Sequence, residues 1–275
     1  MSHMTTPESS PGELPANPVF RTLFVIGLGR SGSTLLGRLL NNHTGIVNVG
    51  ELLRLEYVVD KPEAKCACGL TAHECKDWNA LLEGIPDEVR RDYRKWTPAL
   101  LDRMRMNAGA SVLVDVSKTR GYRLAAKWKN PEVGFILLFR DPRGILRSFV
   151  ADGGDLPDQL KRHHKWIRRY EKFARKNSDR CFVMHYEDLM SSPEQVMRSL
   201  CGFIGVDYQP AMITPGSSTS HMALYSGSPY MRDAPELRLD ERWRTQMPKE
   251  TIDLITRKLG SLRVYRERYG LGEKP

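Results

Sequence analysis

The sequence predicts a doubly wound α/β fold, a five-stranded parallel sheet flanked by helices, and three observations carry that prediction. Five short β-branched or apolar runs recur along the chain, each with the length and continuous apolarity of a strand buried on both faces. Segments with helical spacing lie between them, and strands alternating with helices specify parallel βαβ units. The chain's 275 residues suffice to cover both faces of such a sheet.

In chain order, strands are expected at Thr22–Gly27, Ile46–Val49, Val112–Val116, Gly134–Phe139 and Cys181–His185. Leu35, Leu36, Leu39 and Leu40 put an apolar stripe on a helix starting near Ser33. Trp166, Ile167, Tyr170 and Phe173 do the same for a helix from about Leu156 to Lys176. Ser191-Ser192-Pro193-Glu194 reads as a helix start, followed by Val196, Met197, Leu200 and Phe203 on one face. Residues 60–107 interrupt the alternation with a Cys-bearing, then helical, insertion. The Ser-, Gly- and Pro-rich stretch 214–232 reads as a long loop, and long loops in compact domains are commonly functional. Residues 1–20 are expected to be a disordered tail, opening with Met1–Met4, which looks like a cloning scar; residues 21–275 are expected to form one domain.

Composition narrows the function classes. Hydrophobic residues at 40% and charged residues at 27% exclude wholesale disorder. No run approaches the ~20 apolar residues that span a bilayer, so no transmembrane segment is expected. The N-terminal stretch has no apolar core of a signal peptide, and the expected location is the cytoplasm. A net charge of +9 suggests an anionic partner, whether nucleic acid, membrane surface or a phosphorylated small molecule, and is equally compatible with a merely soluble basic enzyme. The arginines stand at the ends of expected strands and no block of six like charges occurs, which favours a small phosphorylated molecule over nucleic acid.

The sharpest local signal is the stretch from Phe24 to Leu36, in which a strand enters a Gly- and Ser-rich turn and then an amphipathic helix. Glycines bring backbone N–H groups close to an anion, and the helix N-terminus adds donors and a positive dipole end. The bland alternative is a tight turn whose Ser and Thr merely cap the helix. The loop is P-loop-like, but Ser33 stands where a nucleoside-triphosphate loop requires lysine, and the cation is Arg30, inside the loop. A kinase would lack its γ-phosphate clamp. A second strand ends in Arg140-Asp141-Pro142-Arg143, with Ser148 eight residues beyond Arg140. A terminal phosphate dianion suits a guanidinium fork with a hydroxyl beside it.

Arg30–Leu35 resembles the 5′-phosphosulfate loop R-[ST]-G-[ST]-[ST]-L of the sulfotransferase superfamily, in particular its carbohydrate, tyrosylprotein and bacterial branches. The resemblance runs from about Leu23 to Trp243 and rests on three short segments. It implies 3′-phosphoadenosine 5′-phosphosulfate as co-substrate and an enzyme that moves a sulfuryl group to an acceptor hydroxyl by in-line displacement. It implies that Gly29, Arg30, Ser31, Gly32, Ser33 and Thr34 hold the phosphosulfate and that Arg140 and Ser148 hold the 3′-phosphate. Ser226–Arg232 with Leu239–Trp243 resembles a G-N-P-x-R loop and its (I/L)-D-x-x-W companion, which implies that Arg232 closes over the donor. Ser228 replaces the usual Asn, and the step to Arg232 is one residue longer.

Transfer to an alcohol needs a base. Glu51, in Val49-Gly50-Glu51, matches the glutamate base of the tyrosylprotein branch, and Lys118 matches the lysine that stabilises charge on the transferring group. With Arg30 these form the expected catalytic set, and no metal is assigned to the chemistry. The acceptor, a small molecule or glycolipid-type hydroxyl (sugar, lipid, phenol or secondary metabolite), is marked by no motif. A nucleotide or small-molecule kinase using Asp141 for Mg²⁺, and a non-catalytic anion-binding protein, are the competing classes. Cys66, Cys68, His73 and Cys75 form a separate cluster, open between reduced structural thiols, a disulfide and a Cys3His zinc site. His43 is expected to cap the first helix, and His163-His164 to lie on a solvated face.

Overall fold

A computed structural model of the chain describes residues 19–61, 63–66, 68–215 and 236–272. Its sheet is five-stranded and wholly parallel, in the order β2-β3-β1-β4-β5. The strands are β1 (Thr22–Ile26), β2 (Ile46–Asn48), β3 (Val112–Asp115), β4 (Val133–Phe139) and β5 (Cys181–His185), each within a residue or two of its expected bounds.

Side chains alternate across the pleat, and both faces are covered. Phe24, Ile26, Phe135 and Leu137 point into one core, with Trp166, Tyr170 and Phe173 of the long helix, while Leu23, Val25, Ile136 and Leu138 point into the other. The first layer contains α5 (Pro98–Asn107), α6 (Lys118–Ala125), α8 (Leu156–Lys176) and the C-terminal α12 (Lys249–Leu259) and α13 (Arg263–Tyr269). The second contains α1 (Ser33–Leu40), α9 (Tyr186–Ser191) and α10 (Pro193–Ile204). Phe135 is fully buried and meets Phe173 edge-on at 4.8 Å between ring centres. Truncating such a ring costs about 3–5 kcal/mol.

The insertion is a string of short elements: α2 (Leu55–Val58), a cysteine-bearing hairpin, α3 (Lys76–Leu81), α4 (Asp87–Arg90) and then α5. It contributes Trp78, Trp96, Leu101 and Met104 to the first core, so it is part of the packed body. Two further helices, α7 (Pro142–Ala151) after β4 and the short α11 (Trp243–Gln246), flank the ends of the strands.

Three expectations need correction. Phe20, placed in the tail, is buried and meets Phe203 at 4.8 Å, because its ring occupies the space a side chain at Gly134 would take, 2.8 Å from that Cβ position. His163 is buried on the inner side of α8, where Nδ1 meets the Gln159 carbonyl at 2.7 Å and burial lowers its pKa to about 4. The helical period puts His163 in line with Leu160, Trp166 and Ile167, which outweighs its basic neighbours. His43 does not cap α1, whose C-cap is Asn41; it is buried, accepts from Gly45 N–H at 2.9 Å and meets the Asp207 carbonyl at 2.9 Å.

Candidate active site

The carboxyl ends of all five strands open into one cleft of about 1710 Å³, where ligands bind in open α/β sheets. Among the described residues its lining holds ten Lys and Arg side chains against five Asp and Glu. More than half of the chain's excess positive charge is therefore concentrated where the strands end, and the partner implied by the charge is one that enters a cleft.

The first wall is the loop after β1. Gly27 ends the strand where a side chain would strike the Leu138 carbonyl, 2.7 Å from its Cβ position. The Tyr170 hydroxyl donates to the Gly27 carbonyl at 3.2 Å, holding the loop from below. Gly32 has φ of 96°, and a Cβ there would lie 2.7 Å from the Tyr186 ring; only glycine satisfies both conditions. Gly32 is also the N-cap of α1, and no side chain caps the helix. Ser33 and Thr34 thus do not act as caps. They line the cleft with Gly29, Arg30 and Gly32, beside the first-turn N–H groups of α1. Ser31 departs from the set: it is fully buried, away from the cleft, and its hydroxyl has no hydrogen-bond partner among the described residues.

Arg140 stands at the end of β4, the neighbour of β1. It is 8% exposed, donates to the Arg30 carbonyl at 2.9 Å and stacks on the Tyr186 ring at 4.3 Å. Its other nitrogen donates to the Asp240 carboxylate at 3.1 Å. Hydrogen bonds from Arg242, with help from Arg140, hold the Asp240 carboxyl well below the usual range. Ser148, two turns along α7, lines the same cleft. Asp141 does not: it caps α7 by accepting from Arg143 N–H at 2.8 Å and binds the Arg143 guanidinium, so it is committed to the fold. Arg232 lies outside the described residues, as does most of the expected lid.

Across the cleft, β2 lies beside β3 and brings together Glu51 and Lys118, 67 positions apart, in an ion pair. Both side chains are less than one-fifth exposed. Arg54 donates to the other Glu51 oxygen at 3.2 Å. Burial pushes the Glu51 carboxyl up, and the charges and hydrogen bonds of Lys118 and Arg54 outweigh it, leaving the group below the ordinary 4.5. Beneath the pair, buried Asp115 accepts from Tyr93 Oη at 2.6 Å and Ser117 N–H at 2.7 Å, and burial raises its pKa to about 6.

Arg30, at φ 67°, and Lys118, at φ 55°, are the only non-glycine residues with positive φ among those described. Left-handed backbone costs a non-glycine residue about 1–2 kcal/mol. Both cations of the expected catalytic set carry that cost, and such strain concentrates at functional sites. Arg30 also pairs with Asp152 at the end of α7.

Sequence reasoning missed several cleft residues. Arg54, Tyr57 and Lys61 come from the turn and helix after Glu51, Arg147 from α7 and Tyr186 from the end of β5, and they are joined by Asp240 and Arg242 of the Leu239–Trp243 segment that the sequence had singled out. A usable signal existed for Tyr186, since it follows the fifth strand as Arg140 follows the fourth. Cys66, Cys68 and Cys75 lie outside the cleft, all unbridged, and exposed His73 does not join them. Burial pushes the Cys66 thiol up to about 12.

With this geometry in view, comparison with known proteins is decisive. Residues 22–210 match the sequence model of the sulfotransferase family. The chain belongs to the sulfotransferase family. A 91-residue stretch is 31% identical to protein-tyrosine sulfotransferase 1 of Danio rerio, covering 30% of this chain and 26% of that protein. A 92-residue stretch is 27% identical to the protein-tyrosine sulfotransferase of Drosophila melanogaster, covering 30% and 18%. The matches thus span about a quarter or less of those relatives' length. The sulfotransferase domain of a Synechococcus olefin synthase superposes with TM-score 0.59 at 20% identity, over 90% of this chain and 97% of that one. A mouse sulfotransferase complexed with PAP superposes with TM-score 0.54 at 12% identity, over 94% and 91%. At such identities these structures establish the shared fold. Among the described residues no helix is long and apolar enough to cross a membrane.

Proposed function

We propose that the cleft takes 3′-phosphoadenosine 5′-phosphosulfate as sulfuryl donor and delivers the group to an acceptor hydroxyl. The observation that carries this reading is the coupling of two anion anchors on adjacent strands: the glycine loop after β1 and Arg140 after β4, joined by the bond from Arg140 to the Arg30 carbonyl at 2.9 Å. A donor with phosphate at two ends needs two such anchors held at a set separation. The mouse relative's complex with PAP supports the same choice.

The residues then divide the work. Gly29, Gly32, Ser33 and Thr34 offer backbone and hydroxyl donors at the N-terminus of α1 to the 5′ end, with Arg30 beside them. Arg140 and Ser148 take the 3′-phosphate, and the Asp240 carboxylate marks the place on the Arg140 fork that suits an anion. Ser31 supports the loop from inside rather than touching the donor. Arg232 is proposed as a closing residue on the sequence resemblance alone.

Glu51 is the base. Its carboxylate is ionised at neutral pH and tied to Lys118, so the pair must part before the acceptor proton can be taken. An arriving sulfonate gives the Lys118 ammonium a competing anion. As Lys118 turns to that charge, the carboxylate loses its main stabilising partner and becomes a stronger base. The donor supplies the sulfuryl group and a bisphosphate leaving group, and Arg30 and Lys118 would stabilise charge on the departing oxygen. Leu53, Arg54, Tyr57 and Lys61 form the wall beyond Glu51, where a small-molecule or glycolipid-type acceptor would rest.

The direct test is calorimetric titration of wild type and Arg140→Ala with 3′-phosphoadenosine 5′-phosphate and, separately, Mg·ATP. Binding of the bisphosphate, weak binding of ATP and loss in the variant are expected. Preference for Mg·ATP would make the protein a phosphoryl-group enzyme and overturn the reading.

A further inference from the structure

Outside the cleft, the insertion folds its three cysteines into one spot. Cys66 and Cys68 occupy a tight hairpin in which Cys66 N–H donates to the Leu70 carbonyl at 2.8 Å and Gly69 N–H donates to the Cys66 carbonyl at 3.0 Å. Gly69, at φ 95°, turns the chain there. The bridge between Lys65 and Thr71 closes the hairpin, and Cys75 follows as the N-cap of α3. The three sulfurs lie within 4.8 Å of one another, with Cys68 and Cys75 at 3.8 Å.

Two features of this cluster suit a bound metal ion. Zinc–thiolate bonds of about 2.3 Å in a tetrahedron put two sulfurs about 3.8 Å apart, the separation of Cys68 and Cys75. The backbone N–H of Trp78 also points at the Cys75 sulfur, at 3.4 Å. Such donors stabilise sulfur carrying negative charge and orient it as a ligand, whereas neutral thiols have little need of them.

We propose that Cys66, Cys68 and Cys75 bind one zinc ion through three thiolates, with solvent at the fourth position beside half-buried Cys68. The charge of the ion is what lets three sulfurs ionise together in so small a space. Its purpose is structural. Cys66, Ala72, Cys75 and Trp78 share a core with Leu53, Leu55 and Val58, and this stretch carries Glu51, Arg54, Tyr57 and Lys61 into the cleft. A zinc staple in the hairpin would hold the base-bearing wall of the cleft, while the phosphate anchors on β1 and β4 do without it. The proposal rests on the cysteine geometry and does not depend on which donor the cleft takes.

The test uses the full chain, purified in reductant with zinc present and then dialysed. Elemental analysis is expected to find about one zinc per chain in wild type and less than about a tenth of that in Cys68→Ser and Cys75→Ser. Cobalt loading of the wild-type chain is the readout that needs no folded variant, and intense visible d–d bands with a near-ultraviolet sulfur-to-cobalt charge-transfer band are expected. A wild-type chain that retains no zinc and gives no such bands overturns the proposal. So does zinc retained equally in both serine variants, which would place the ion elsewhere. A Cys68–Cys75 disulfide that persists in the zinc-replete, reduced chain would overturn it as well.

Discussion

The two sides of the cleft are built differently. On the β1–β4 side, anion contacts come from backbone and from one buried arginine: Gly32 lies against the Tyr186 ring, α1 presents an N-terminus that no side chain caps, and Arg140 is bonded to the Arg30 carbonyl. On the β2–β3 side, the groups are charged side chains whose partners are each other, Glu51 with Lys118 and Arg54, resting on an insertion of short elements. The groups of the first side are held by contacts with the fold itself, Arg140 by the Arg30 carbonyl and the Tyr186 ring. The second has to exchange partners to work. Binding and proton transfer are therefore expected to separate cleanly under mutation.

The largest effect should be Glu51→Gln, which removes the base and leaves the anchors untouched. Turnover of labelled donor with an acceptor found by screening is expected to fall about 10²–10⁴-fold, with affinity for 3′-phosphoadenosine 5′-phosphate unchanged. Equal losses in both measurements would break the division between the two sides. Arg140→Ala should do the reverse and weaken the bisphosphate on the order of a hundredfold in calorimetry, because it removes a buried charged fork and leaves Asp240 unpaired on that side.

Gly32→Ala sharpens the comparison on the backbone side. The left-handed conformation costs about 1–2 kcal/mol, and the added methyl must displace the Tyr186 ring. A drop in denaturation midpoint accompanied by weaker bisphosphate binding is expected; a drop in stability alone would mean that the loop geometry does not serve the anion.

The smallest effect is a shift in pH dependence. Glu51 lies below 4.5 because its cationic partners outweigh burial, so in wild type the acidic fall in kcat/KM assigned to this group lies below that pH. Lys118→Met takes away the largest opposing charge and leaves the burial. The carboxyl then rises, and the acidic limb of the residual activity is expected to move to higher pH. An unmoved limb would show that Lys118 and Glu51 are not coupled during turnover.

Much of this was readable before any coordinates. The strands were legible because β1, β3 and β4 are buried along their whole length and read as continuous apolar runs, and β5 keeps an apolar run although it is an edge strand with Val183 exposed. The phosphate loop was legible because an anion cradle is local: strand, glycine turn and helix start follow one another within a dozen residues. That the Ser31 side chain faces inward was not legible, since sequence shows that a serine sits in the loop but not which way it faces. His163 was misjudged because its charged neighbours were weighed above the helical period that buries it.

By itself, then, the sequence determined the parallel sheet and the glycine loop after β1, and singled out Arg30, Arg140, Glu51 and Lys118 one by one as candidates. Only the tertiary structure decided which of them meet. The strand order sets β1 against β4 and β2 against β3, so Arg140 reaches the Arg30 loop from 110 positions away and Lys118 reaches Glu51 from 67. The crossover topology makes those pairs neighbours, and no local pattern encodes it. The same is true of Tyr186, Asp240 and the three cysteine sulfurs, whose chemistry depends on distances that chain spacing does not set.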